Sequence, residues 1–384
     1  MNDVKIPIRK FVAPEIVFGE GARMLAGQYA ADLGGSRVLL VSDANVRKAG
    51  WAEDIVKGFE KAGLEHVLFD GISPNPRTAQ VRKGTELYLK EHCDLIVAVG
   101  GGSPIDCAKA IGASATNGMG CLEFEGVDAI PLPGPPLICV PTTSGSSADV
   151  SQFSIITDEK GKRKFAIISK VMVPDMSLLD PVVTTTMGAK LTADTGMDAL
   201  VHGIEAYVST AASSITDLHA REAISMVTEW LPRAVDMPQD IGVRGKMMLA
   251  SMYAGLAFSN ASLGLVHAMA HSLGGLLDAV HGECNALLLE HVVRYNYPSA
   301  RQKYDEVLGT MSSVQGVRSE EMELPLLIKG FGRKLGIDET LSDLGVKRSD
   351  IPALAKNAAA DPCLATNPRK ASVAEIERVF ESAL

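Results

Sequence analysis

The stretch Asp94-Leu-Ile-Val-Ala-Val-Gly-Gly-Gly-Ser-Pro-Ile-Asp106 joins an unbroken apolar run to three glycines and then to a helix start. Apolar residues without polar alternation indicate a strand covered on both faces, as in a parallel sheet packed between helices. The glycines allow a tight turn and close backbone approach to an anion. Ser103 fits the N-cap, Pro104 the first helical position, and Asp106 adds an acceptor in the first turn. A helix beginning there favours an anion through its dipole. The competing reading is a plain strand-to-helix turn, and the segment is not the GxGxxG dinucleotide fingerprint.

The same pattern extends outward. Arg37–Val41, His66–Phe69 and Leu137–Val140 are further buried-strand runs, separated by helical stretches at Trp51–Ala62 and Thr78–Lys90. Ser154–Ile156 and Lys164–Ile168 flank a turn and read as a hairpin. Beyond about Thr186 strand-like runs vanish and apolar residues recur at helical spacing, as in Ala199–Val208 and Ala220–Leu231. The expected architecture is α/β plus all-α. A parallel-sheet α/β domain spans residues 1–186 and an all-helical domain spans 187–384.

With 37 Lys+Arg against 46 Asp+Glu among 384 residues, the net charge of −9 argues against a nucleic-acid partner. The one dense basic run, Lys160–Lys164, is short. Met1–Lys10 is followed by no apolar run of signal-peptide type, and no segment reaches the length of a membrane span. Six scattered cysteines without a CxxC pair read as reduced thiols of a cytoplasmic protein.

Several polar residues interrupt this apolar background. Thr142, Thr143 and Ser146 form a second polar loop after a strand, facing the same crevice as the glycines in an open sheet. Asp43 closes the strand Val38–Ser42. It is placed either to accept from ribose hydroxyls, favouring NAD over NADP, or to cap the following helix. Asp198 and His202 lie four apart on one helical face, His267 and His271 repeat that spacing, and His281 follows. Polar groups on apolar faces need partners. One carboxylate with imidazoles suits Fe²⁺ or Zn²⁺; affinity order favours zinc, availability decides, and ligand type does not choose between them. Spacing does not choose between His267 and His271 as ligand, and Cys284 reads as a small buried residue.

Together these segments resemble the iron-containing (group III) alcohol dehydrogenase family. The resemblance rests on Gly100–Lys109, Pro141–Ser146, Gly196–Tyr207, Ala254–Gly275 and Asp361–Arg369, in that order. It implies a Rossmann-like NAD-binding domain at 1–186 and an all-helical metal-binding domain at 187–384, with the active site in the cleft between. It implies metal ligands at Asp198, His202, His267 and His281, leaving His271 near the nicotinamide as proton relay or orienting group. It also implies cofactor contacts from Asp43, Asn75, Gly101, Gly102, Ser103, Thr142, Thr143, Ser146, Ser151, Lys164 and Val183. The chemistry implied is NAD-linked interconversion of a small primary alcohol or diol and its aldehyde, in a homo-oligomer. Competing readings are a zinc polyol dehydrogenase of the glycerol type, a metal-dependent hydrolase, and a non-catalytic nucleotide- and metal-binding protein. Glu290 stands where many family members have proline, so the shape of that segment is expected to differ.

Overall fold

The computed structural model describes residues 8–384, so residues 1–7, and with them most of the Met1–Lys10 stretch, lie outside the described residues. The first half contains β1 (Glu15–Phe18), β2 (Arg37–Val41), β3 (Glu65–Phe69), β4 (Leu95–Gly100), β5 (Gly126–Val127), β6 (Leu137–Pro141), β7 (Phe153–Asp158), β8 (Arg163–Ile168) and β9 (Met176–Leu179). Between them run α1 (Ala26–Asp32), α2 (Ala44–Lys48), α3 (Trp51–Ala62), α4 (Thr78–Lys90) and α5 (Gly102–Asn117). Six strands form a wholly parallel sheet in the order β1-β9-β6-β4-β2-β3. Alternate residues of its central strands feed different cores. Leu39, Val41, Ile96 and Ala98 pack on one face, and Val38, Leu40, Leu95 and Val97 on the other. That two-sided burial is why the runs are unbroken in sequence.

The chain steps from β2 to β3 on one side and then returns to β4 on the other. The carboxyl ends of β2 and β4 therefore flank the switch-point crevice where open α/β sheets hold ligands. The expected hairpin forms as β7 and β8, paired from Phe153–Ile168 to Asp158–Arg163, outside the main sheet.

The second half is helical: α6 (Ala189–Val208), α7 (Ser214–Asp236), α8 (Ile241–Ala261), α9 (Leu265–Leu277), α10 (His281–Asn296), α11 (Arg301–Gln315), α12 (Leu324–Lys334), α13 (Ile351–Ala359) and α14 (Val373–Ala383). Its single large core is threaded by α6, whose residues from Gly196 to Val208 are all buried. Among the described residues no single helix is long and apolar enough to cross a membrane. Helix α10 runs unbroken through Glu290, whose carboxylate pairs with Lys329 at 2.8 Å, so the missing proline leaves a straight helix there.

The two halves meet closely. A side chain at Gly145 would lie 2.3 Å from the Thr195 carbonyl of α6, so the loop after β6 touches helical backbone directly. At the junction Asp180 is fully buried and accepts from the Gly21 N–H at 3.0 Å, the Val182 N–H at 3.1 Å and Arg23 Nη1 at 2.6 Å. Removing one partner of a buried ion pair leaves the other uncompensated. Asp180→Ala is expected to cost about 3 kcal/mol of stability, read as a lowered urea midpoint with little change in slope.

Candidate active site

A cavity of about 840 Å³ opens between the sheet and the helices. On the sheet side, Asp43 follows β2 and takes the capping role that its position allowed. Its Oδ1 caps α2 by accepting from the Asn45 and Val46 N–H groups at 2.8 and 3.0 Å, and it also lines the cavity. The glycine turn differs from expectation. Gly101, not Ser103, is the N-cap of α5, and no side chain bonds the first-turn N–H groups. A capping side chain would consume those donors; a glycine leaves them for a ligand in the cavity, with the dipole behind them. Asp106 does not serve the turn either. It is partly buried on the cavity wall and its Oδ2 accepts from the Ile155 N–H at 3.1 Å, stitching α5 to β7, while desolvation raises its carboxyl to about 6.

Gly101, Gly102, Ser103, Thr142, Thr143, Ser146, Ser151, Asn75 and Lys164 all line the cavity. Val183 does not. It is fully buried against Leu179, Met248 and Met252, because the short helical turn at 181–186 directs it into the core; it is accordingly dropped from the cofactor contacts. Ser151 is held by a residue whose role composition did not suggest. Buried Lys109 donates from Nζ to the Ser151 and Phe153 carbonyls at 2.7 and 2.8 Å. Leu191, Phe258 and Leu263 also line the cavity and, being apolar, carry nothing to flag them in sequence.

On the helical side, four side chains converge. The Nε2 atoms of His267, His202 and His281 lie 3.7, 3.8 and 3.9 Å from Asp198 Oδ1. Their tautomers follow from their neighbours. His202 Nδ1 donates to the Gly145 carbonyl at 3.1 Å, and His267 Nδ1 donates to Glu205 Oε2 at 2.7 Å. Both rings thus turn Nε2 toward Asp198; His202 presents a lone pair there, and His267 does so once the extra proton held between Asp198 and Glu205 leaves. One carboxylate and three imidazoles in this arrangement fit a divalent first-row ion. Cys284 is fully buried and burial pushes its thiol up to about 12, so no thiolate is offered.

Geometry also separates the two candidates on α9. His267 belongs to the cluster, whereas His271 Nδ1 donates to Asp361 Oδ2 at 2.8 Å, and the His271 ring lies stacked on that of His281 with centroids 5.3 Å apart. Glu205 and Asp361 were both missed as site residues. Glu205 had a signal, since it lies one helical turn beyond His202 in an otherwise apolar helix.

Two family models match the chain: iron-containing alcohol dehydrogenase over residues 13–181, and the C-terminal part of the Fe-containing alcohol dehydrogenase family over 192–384. The chain belongs to the iron-containing alcohol dehydrogenase family. A 1,3-propanediol dehydrogenase of Citrobacter freundii is 40% identical over 97% of this chain and 98% of its own. An NAD-dependent methanol dehydrogenase of Bacillus methanolicus is 35% identical over 97% and 99%. A crystal structure of 1,3-propanediol oxidoreductase superposes with a TM-score of 0.94 at 38% identity, covering 98% of this chain and all of that one. As a member of this family, the protein is an oxidoreductase that interconverts alcohols and aldehydes.

The charges of the cluster make a pH prediction. Burial lowers His202 to about 4 and holds His281 well below its ordinary value. Burial also pulls on His267, but hydrogen bonds and charge from Asp198 and Glu205 outweigh it and raise it to about 9. In metal-free protein the His267 proton therefore contributes stability that is complete below about 6.5 and is lost as pH rises through about 9. Calorimetric titration with Zn²⁺ at pH 7.5 in buffers of different ionisation enthalpy is expected to show release of about one proton. Glu205→Gln is expected to weaken metal retention about 10- to 100-fold, measured by elemental analysis after dialysis.

Proposed function

We propose that the protein uses Fe²⁺ and NAD to interconvert a short primary alcohol or diol and its aldehyde. The observation that carries this reading is the pairing of two unlike ends in one cavity: an uncapped helix N-terminus beside Asp43, and a carboxylate–imidazole cage. Asp198, His202, His267 and His281 would hold the ion, which when bound supplies Lewis acidity toward an alcohol oxygen. The nicotinamide supplies the hydride acceptor.

The remaining work falls to the chain itself. The first-turn N–H groups of α5, with Gly101 and Gly102, bind the pyrophosphate, and Asp43 accepts from ribose and repels a 2′-phosphate. His271, with its Nδ1–H committed to Asp361, offers Nε2 to the cavity as a proton acceptor, and Asp361 stabilises the cation that results. Phe258, stacked on His202 at 4.2 Å between ring centroids, gives the metal end an apolar wall. The names of the relatives add support for short alcohols and diols. We further infer a reducing, cytoplasmic setting, supported by six unpaired buried cysteines, and a homo-oligomer, supported by the open edge of β1 with Phe18 half-exposed.

The decisive assay is anaerobic, following NADH absorbance with a panel of short alcohols and diols on protein loaded with Fe²⁺ or Zn²⁺. Turnover with NAD⁺ and Fe²⁺ is expected, faster than with Zn²⁺; absence of NADH with every alcohol and either ion would overturn the reading. His271→Ala is expected to lower kcat about 100-fold while the protein still retains its metal. Asp43→Ala is expected to narrow the preference for NAD⁺ over NADP⁺, read as the ratio of kcat/KM values.

A further inference from the structure

Between His271 and His281 the chain leaves α9, turns, and enters α10, and the turn is tied to the opposite side of the cleft. Asp278 ends α9 with φ +55°. Facing it, in the loop between β3 and α4, Asn75 also has positive φ, at +56°. Asn and Asp tolerate this left-handed conformation better than other side chains, and here the two meet. Asn75 Nδ2 donates to Asp278 Oδ1 at 2.8 Å, and Arg77 Nη2 lies 2.8 Å from Asp278 Oδ2, so each carboxylate oxygen has its own partner across the cleft. The Asn75 amide is engaged on its other side too, its Oδ1 accepting from Lys164 Nζ at 2.7 Å. Lys164 is itself partly buried against α9, where a side chain at Gly274 would lie 2.6 Å from its Nζ.

Asn75, Lys164 and Asp278 all line the cavity, so a ligand filling its sheet side touches the tie from within. Three residues beyond Asp278 stands His281, whose imidazole is 28% exposed against 1% for His267 and 4% for His202, and whose Nδ1 has no hydrogen-bond partner. Its Nε2 lies 3.2 Å from Asn285 Nδ2 and its ring stacks on His271, but it lacks the Nδ1 anchor that fixes the other two rings. The backbone that delivers it follows the turn that Asp278 ties.

We propose that Asp278 is a positioning residue that couples the cofactor loop to the metal cage: engagement of Asn75 by bound cofactor fixes Asp278, and Asp278 fixes the segment that carries His281. This rests on the assignment of NAD and metal given above. The tie is half-exposed, with Asp278 at 54%, so each bond is modest and the tie can open and re-form. Coupling of this kind is reciprocal, since a cofactor that steadies the cage is itself bound more tightly when the cage is filled.

The test is the rate at which a colourimetric ferrous chelator extracts Fe²⁺ from the holoenzyme, with and without saturating NAD⁺. Binding of Fe²⁺ and of NAD⁺ is first measured separately for each variant. In the native enzyme NAD⁺ is expected to slow extraction about 5-fold or more. Asp278→Ala is expected to lose that dependence while still binding both ligands, and Asp278→Asn and Arg77→Ala, which each keep the Asn75 contact, to retain part of it. Arg77 does not line the cavity, so its variant keeps the test valid should Asp278→Ala fold poorly. Native-sized NAD⁺ dependence in both Asp278→Ala and Arg77→Ala would overturn the proposal, as would no dependence in the native enzyme. Failure of the native protein to bind Fe²⁺ or NAD⁺ at all would sink the underlying reading and the coupling with it, and the separate binding measurements distinguish that case.

Discussion

The helical half is organised around one buried carboxylate. Glu205 accepts from the Gly264 N–H at 3.1 Å, the Val266 N–H at 2.7 Å and His267 Nδ1 at 2.7 Å, in a site only 4% exposed. A buried carboxylate is tolerable only with such partners, and the N-terminus of a helix is where backbone donors are available. The contact turns the 100° bend between α8 and α9 into a defined corner. It also dictates which His267 nitrogen carries the proton and which faces the cage. Gly264 is required at that corner, because a Cβ there would lie 2.9 Å from Glu205 Oε1 and 2.8 Å from Asn367 Oδ1.

The sheet half solves the complementary problem by leaving donors unused. Backbone N–H groups at a helix start are normally bonded by a capping side chain. At α5 the cap is a glycine, and the adjoining turn is crowded enough to exclude most substitutions. A Cβ at Gly102 would meet Ser146 at 3.0 Å, and one at Gly101 would meet Thr143 at 3.2 Å. The two polar loops thus interlock, and their unspent hydrogen-bonding capacity faces the cavity. On the proposed reading, an anion would be met by withheld capping and a cation by oriented ring nitrogens.

This division explains what could be read from the residues alone. Strand runs and the helices at 51–62 and 78–90 were legible because burial on two faces and helical periodicity are local patterns. Asp198, His202 and the α9 histidines were legible because charged or titratable groups on apolar helices require partners. The choice of His267 over His271 was not, since both occupy one helical face and only Glu205 and Asp361, distant in sequence, tell them apart. Ser103 fitted the usual cap chemistry, but the helix starts two residues earlier, at a glycine packed against Thr143. Val183 looked no different from a residue facing the cleft, and only the packing of 181–186 against α8 shows that it is core. Asn75 and Lys164 carry no local signal because what defines them is contact across the cleft.

The cage itself is electrostatically uneven, and the unevenness has a direction. His202 and His281 are kept neutral by burial, so both present lone pairs at neutral pH. His267 lies between Asp198 and Glu205, and their two charges hold a proton on it despite burial. Without that proton the buried carboxylates would face each other with only hydrogen bonds between them; with it the cluster approaches charge balance. An arriving divalent ion replaces the proton as the balancing charge. The carboxylates that hold the proton are thus the ones that, on the proposed reading, would balance a divalent ion, and Glu205 bonds His267 Nδ1 to that end. It is the fixed point from which the corner, the tautomer and the charge of the site all follow.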